Sequence, residues 1–200
     1  MNAILPDALD DRVRVGKRTY RMQPCVFHVL HALAALEDEG LLPRDRERLA
    51  VWHLFAPPRP RDHPAAIRAA LQALTAPPPY HLPGSLPRTL DLQQDAALIC
   101  AAFRQLYGVD LPRESVRMDW RTFQALLSGV TDDTRLGGIM SIRAQPLPRR
   151  TAHNGEQIRE LQRLKAIYAL RGGAGGDSFE DGLKRMVEVL AAMAGSGGDD

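Results

Sequence analysis

The chain has 200 residues, 44% hydrophobic and 25% charged, which supplies a core for one ordinary domain and excludes an intrinsically disordered polymer. Its 26 Lys and Arg against 24 Asp and Glu leave a net charge of only +2. Arg44, Arg46, Arg48, Arg59, Arg61 and Arg68 are spread among acids and prolines, so no basic face favours nucleic acid. The N-terminus lacks a basic region followed by an apolar run, and no stretch approaches the roughly 18 to 20 apolar residues of a membrane span, so a soluble, cytoplasmic protein is expected.

Val13 and Val15 alternate on one side of Gly16-Lys17, and Tyr20 and Met22 on the other, which predicts a hairpin at about 12–22. Two strands alone are marginal in water, so this ribbon must lean on helices. Pro24 and Gly40 bracket a helix in which Val26, Phe27, Leu30, Leu33 and Leu36 repeat at helical spacing. Pro43 opens a second helix to Phe55, with Leu49, Trp52 and Phe55 expected in the core. Pro64 opens a third, with Ile67, Leu71 and Leu74. Residues 75–88 carry Pro77, Pro78, Pro79, Pro83 and Pro87, a density that forbids helix and predicts an extended spacer.

The block 91–143 is the most informative. Asp91 is a fit N-cap for a helix carrying Leu92, Ala96, Ile99, Phe103, Leu106 and Tyr107, and Gly108 stands where a left-handed helix end belongs. Asp119 then precedes Trp120, Phe123, Leu126 and Leu127, and Thr131-Asp132-Asp133 opens a turn leading to Leu136, Ile139 and Met140. Pro146 and Pro148 follow, then a helix over about 156–170 with Ile158, Leu161, Leu164, Ile167 and Tyr168. Glycines make 171–176 a flexible linker to an amphipathic helix at 177–194, and 195–200 reads as a disordered tail. The predicted fold is mainly α: one multi-helix domain over 1–170 with a small N-terminal β-hairpin.

Chemistry is sparse. The GGAGG run has no Lys-Ser/Thr pair and no preceding strand, so it is no phosphate loop, and no serine occupies a nucleophile elbow. Cys25 and Cys100 lack partners at metal-ligand spacing and read as reduced thiols in helices. His28 and His31 are three apart on an otherwise apolar helix, compatible with a metal site but more commonly ordinary helix histidines. The expectation is a non-enzymatic protein with no catalytic residues, no cofactor and no metal.

The pattern Asp95-Ala96, Tyr107-Gly108, Trp120, Phe123-Gln124-Ala125-Leu126, Gly129 and Asp132-Asp133-Thr134 resembles the gene-product-fifteen family of long-tailed bacteriophages and prophages. The resemblance spans roughly Leu5 to Leu170 and returns in Arg163 to Leu170. It departs from the family at Met118-Asp119-Trp120, in the proline-rich connector and in the helix after 171. It implies a role in tail morphogenesis: a tail assembly chaperone in the bacterial host cytoplasm that binds the tape measure protein before the tube polymerises, with the tail tube protein as a second candidate partner. A structural virion or tail completion component is the alternative. Trp52, Trp120, Phe103 and Phe123 belong in the core by default. The candidates for partner contact are Trp120, Phe123 and Leu127, with Phe179, Leu183, Met186 and Leu190 of the tethered last helix, which is expected to capture a partner or mediate homo-oligomerisation.

Overall fold

The computed structural model describes residues 11–75, 88–151 and 153–170. The connector 75–88, apart from its two ends, the linker 171–176, the helix expected at 177–194 and the tail 195–200 lie outside the described residues, and so do Phe179, Leu183, Met186 and Leu190. The described chain is mainly helical with one antiparallel two-stranded ribbon. It divides into two compact units, one built from 11–75 and 113–124, the other from 88–112, 125–151 and 153–170.

In the first unit, β1 (Arg12–Val15) pairs with β2 (Arg18–Arg21) so that Val13 faces Tyr20 and Val15 faces Arg18. Gly16 carries a φ of 60° in the two-residue turn, which a glycine at the first central position supplies without steric cost. Alternation turns Val13 and Val15 inward, and β1 packs on α3 (His63–Leu74). The ribbon is prolonged by backbone pairing: Gln23 N donates to Leu54 O at 2.8 Å and Ala56 N to Arg21 O at 3.0 Å. This ties the ribbon to the end of α2 (Pro43–Leu54), and Tyr20 meets Phe55 edge-on at 6.4 Å.

Helix α1 (Val26–Glu37) begins at Cys25 with no side-chain cap. Its first free N–H groups are satisfied instead by a neighbouring loop. Val26 N donates to Met118 O at 2.9 Å and Phe27 N to Ser115 O at 3.0 Å, while Trp120 N donates back to Pro24 O at 2.7 Å. The buried stripe of α1 is Val26, Val29, Ala32 and Leu36: Val26 and Leu36 are inward as expected, Leu30 and Leu33 are half-buried, and Phe27 is exposed instead. Helix α3 is capped by the Asp62 carboxylate, which accepts from Ala65 N at 3.1 Å, and buries Ile67, Leu71 and Leu74 as expected.

In the second unit, α4 spans Ala96–Tyr107 and ends at Gly108, whose φ of 66° matches the predicted left-handed cap. Asp91 caps a separate turn, accepting from the N–H groups of Gln93 and Gln94, so the helix starts later than its periodicity indicates. The short α5 (Leu111–Glu114) and α6 (Trp120–Ser128) follow, each contributing residues to both units. Helix α7 (Arg135–Ala144) is capped by Thr134, whose hydroxyl accepts from Gly137 N at 3.0 Å and donates to Thr131 O at 2.9 Å. Helix α8 spans Gly155–Ile167, and both α4 and α8 pack on α7.

Asp95 and Arg143 join these three helices. They form a bidentate ion pair at 2.6 and 3.0 Å, with side chains only 2% and 7% exposed. The guanidinium also donates to Thr89 O at 2.8 Å and Tyr168 O at 2.7 Å. Asp95 further accepts from Asp91 N at 3.0 Å, and Lys165 Nζ donates to Arg143 O at 2.7 Å.

Two outcomes follow. Asp95→Ala strands the Arg143 charge and should cost about 3–5 kcal/mol in urea unfolding, whereas Asp95→Leu with Arg143→Met should recover much of it. A Cβ at Gly137 would lie 2.1 Å from Thr131 O, while at Gly138 the nearest atom is 3.9 Å away. Gly137→Ala should therefore destabilise by about 1–3 kcal/mol or more, and Gly138→Ala should stabilise by roughly 0.5–1 kcal/mol in the same measurement.

Candidate partner-binding surface

Helix α2 carries two overlapping apolar stripes, and packing selects the smaller. Ala50, Val51 and Leu54, with Phe55 just beyond, are buried, where small side chains let α1 and α3 approach. Leu49 and Trp52 are 37% and 51% exposed, which corrects the expectation that they face the core. Phe55 is inward as predicted.

The exposed side of α2 continues onto α1 as an aromatic strip. Phe27 packs against His31 with ring centroids 4.1 Å apart and against His28 at 5.4 Å. Both histidines face His53, at 5.2 and 5.6 Å. Trp52 meets His53 edge-on at 4.9 Å, and the Arg59 guanidinium lies over the Trp52 ring at 5.4 Å. Arg59 Nε also donates to Trp52 O at 3.3 Å, so its stem is tied as well as its charge. Exposed Trp52 and Phe27, the half-buried Arg59 and the adjoining Leu49 make the composition of an interface hot spot.

His28 Nδ1 and His53 Nδ1 are 3.4 Å apart. Burial pushes both imidazoles below the usual 6.5, and the neighbouring His31 adds to the effect in each; Arg59 contributes further at His28, and His28 at His53. His31 Nδ1 meets Phe27 O at 2.8 Å, which fixes that nitrogen as the N–H donor. Gln23 Nε2 donates to His53 O at 3.0 Å and anchors the strip from beneath.

The residues expected to contact a partner are placed elsewhere. Trp120 and Phe123 stack at 5.2 Å and 29° and are each 1% exposed, so neither ring is offered to a partner. They pack inward because α6 opens against the start of α1, where Trp120 N is held by Pro24 O. Leu127 is half-buried. Sequence reasoning read Phe27 as part of the apolar stripe of α1 and Arg59 as scattered surface charge, and none of Phe27, His53 and Arg59 was among its partner candidates. The available signal was the small stripe of Ala50 and Val51, which competes with Leu49 and Trp52 for the inward face.

The second unit presents an open cleft of 960 Å³ where α8 meets the end of α7, lined by Ile142, Leu161 and Leu164 and by Glu156, Glu160 and Arg163. Cys25 and Cys100 are free and half-buried. Burial, with Asp110 second, pushes the Cys100 thiol up, which makes it a poor nucleophile. Among the described residues no three His, Cys, Asp or Glu side chains gather as a metal-ligand group, and no helix is long and apolar enough to cross a membrane.

Residues 9–170 match the family described as Bacteriophage Gp15 protein. The chain belongs to that family. No curated protein and no solved structure matches it. Membership points to a phage structural or morphogenesis protein, and the quoted signature of this Gp15 protein acquires physical reasons. Tyr107 donates its hydroxyl to Leu126 O at 2.7 Å, and a Cβ on Gly129 would lie 2.7 Å from the Tyr107 hydroxyl oxygen itself. Asp95 is the acid of the buried ion pair, and Thr134 is the cap of α7.

The depressed imidazoles set a pH dependence. Because the folded values lie below the unfolded 6.5, the unfolded chain binds protons first; the contribution is complete above that value and is lost as pH falls through 6.5 and the lower folded values. In metal-free buffer the urea midpoint should be level from about pH 8 to 7 and fall toward about pH 5.5, with a shallower fall in His53→Gln. An identical profile in wild type and variant would remove the histidine cluster as the cause.

Proposed function

We propose that this Gp15 protein is a non-enzymatic tail assembly chaperone that binds the tape measure protein in the host cytoplasm and keeps it soluble until the tail tube polymerises. Family membership supports a phage morphogenesis role. The observation that carries the binding role is the half-exposed Trp52, bracketed by Arg59 and His53 and continued by Phe27 and Leu49.

The physical case rests on what such a partner needs. A long helical protein with apolar surface aggregates before its tube encloses it, and a soluble protein with an aromatic surface can cover that apolar area. Release by polymerisation requires contacts that are individually modest, which suits a small strip used many times along a repetitive partner better than one large interface. The tail tube subunit is the second partner this reading admits, and self-association of the chain would multiply the strips.

Co-expression with the neighbouring tape measure protein, followed by size-exclusion chromatography with light scattering, tests it. A soluble co-eluting complex is the expected result for wild type. Trp52→Ala should keep wild-type stability within about 1 kcal/mol yet weaken binding by roughly 30-fold, as loss of a hot-spot side chain does. Trp120→Ala should instead lose about 3–5 kcal/mol of stability. An insoluble tape measure protein beside free chain, together with this protein at fixed stoichiometry in purified particles, would replace the chaperone by a structural virion component.

A further inference from the structure

We propose that His28 and His53 form a two-ligand site for a divalent first-row transition metal ion, zinc foremost, which clips α1 to α2 within the aromatic strip. The distance is the first observation. The two Nδ1 atoms are 3.4 Å apart. Two imidazole nitrogens bound at about 2.0–2.1 Å to one tetrahedral ion stand about 3.3–3.4 Å from each other by the geometry of the tetrahedron. The contact is long for a hydrogen bond, whose N–H···O counterpart has a mode of about 2.9–3.0 Å. The spacing of the pair is that of two nitrogens sharing one tetrahedral ion.

The second observation is the third histidine. His31 lies one turn along α1 from His28, on the same face, with its ring centroid 5.2 Å from His53. Its Nδ1 is committed to Phe27 O at 2.8 Å, which leaves Nε2 with a free lone pair, the arrangement that backbone carbonyls impose on metal-ligating histidines. Among the described residues no three such side chains already converge on one point. The site therefore has two protein ligands with water in the other positions, and the exposed His31 is the side chain able to swing in as a third. All-imidazole donors select zinc, copper, nickel or cobalt over magnesium or calcium.

The consequence is mechanical. α1 and α2 each supply one ligand, so the ion cross-links two helices that otherwise meet through apolar packing, and it anchors His53, against which Trp52 is placed edge-on at 4.9 Å. Metal loading would order the surface on which the proposed partner contact is built, although the site stands without that reading.

The test uses the full chain, purified without a polyhistidine tag and stripped with chelator. Zinc chloride should raise Tm saturably by about 5 °C or more. Cobalt(II) should give a visible absorption band of a nitrogen-coordinated ion, and copper(II) should quench Trp52 fluorescence. His28→Gln and His53→Gln should each weaken the apparent affinity at least about 10-fold, and His31→Gln by less. Should either variant fail to fold, imidazole NMR on the wild type decides: cobalt(II) must shift His28 and His53 before His63 or His153. No saturable response up to about 1 mM zinc, where a site this weak has no structural effect, would overturn the proposal. So would an unchanged response in the His28→Gln/His53→Gln double variant, or shifts confined to His63 and His153.

Discussion

Backbone groups at helix ends have no partner within their own helix, and the arrangement of both units follows from how those groups are satisfied. In the first unit, α1 starts without a capping side chain, so the Ser115–Asp119 loop must lie across it to accept from Val26 and Phe27. In the second, carbonyls in the last turns of α6 and α7 accept hydrogen bonds from Tyr107 and Lys165, which lie on other helices. These helix ends are thus docking points for segments remote in sequence, while α3 and α7 start on the local caps Asp62 and Thr134. Among the described residues no buried side-chain polar atom is left without a partner either.

Asp95 and Arg143 extend the same logic to charge. Burying the pair removes both ions from water at a cost of several kcal/mol each, which the bidentate geometry and three backbone contacts offset. An apolar pair of similar volume would stabilise about as well, but it could not specify that Thr89, Tyr168 and the start of α4 meet at one guanidinium. The ion pair therefore sets which ends come together more than how tightly the unit holds. Gly137 plays the complementary steric part, since only a residue without Cβ lets the Thr131–Asp132 turn lie on α7.

Much of this organisation was legible in the sequence, and the failures share one cause. The hairpin, the left-handed cap at Gly108 and the inward Ile67, Leu71 and Leu74 follow from local rules, because turn chemistry and spacing act within a few residues. The inward face of α2 does not. Residues 49, 52 and 55 form one acceptable stripe and 50, 51, 54 and 55 another, and hydrophobicity alone favours the larger side chains. What selects the second stripe is how closely α1 and α3 must approach, a tertiary property. The same holds at α4, where Asp91 has every attribute of an N-cap yet caps a turn, because Asp95 is drawn into the ion pair four residues later. The candidate surface was illegible for the same reason: Trp52 can only be recognised as exposed once Ala50 and Val51 are known to be inside.

The two tryptophans show how this selection divides labour. Trp120 and Phe123 spend their area on the core, where each contributes about 1.5–3 kcal/mol, and are unavailable for recognition. Trp52 leaves half its surface in water, a cost in stability that the fold does not require for packing, since Val51 and Leu54 already fill the contact with the neighbouring helices. Arg59 lowers that cost by covering one face of the indole while keeping its charge solvated, and His53 packs against it in a T-shaped contact. An aromatic side chain held in one orientation loses little further entropy on binding, so the strip is preorganised for contact rather than merely exposed. Because His53 supports the indole edge and faces His28, whatever occupies the gap between those two imidazoles, proton or metal ion, acts on the same surface that a partner would meet.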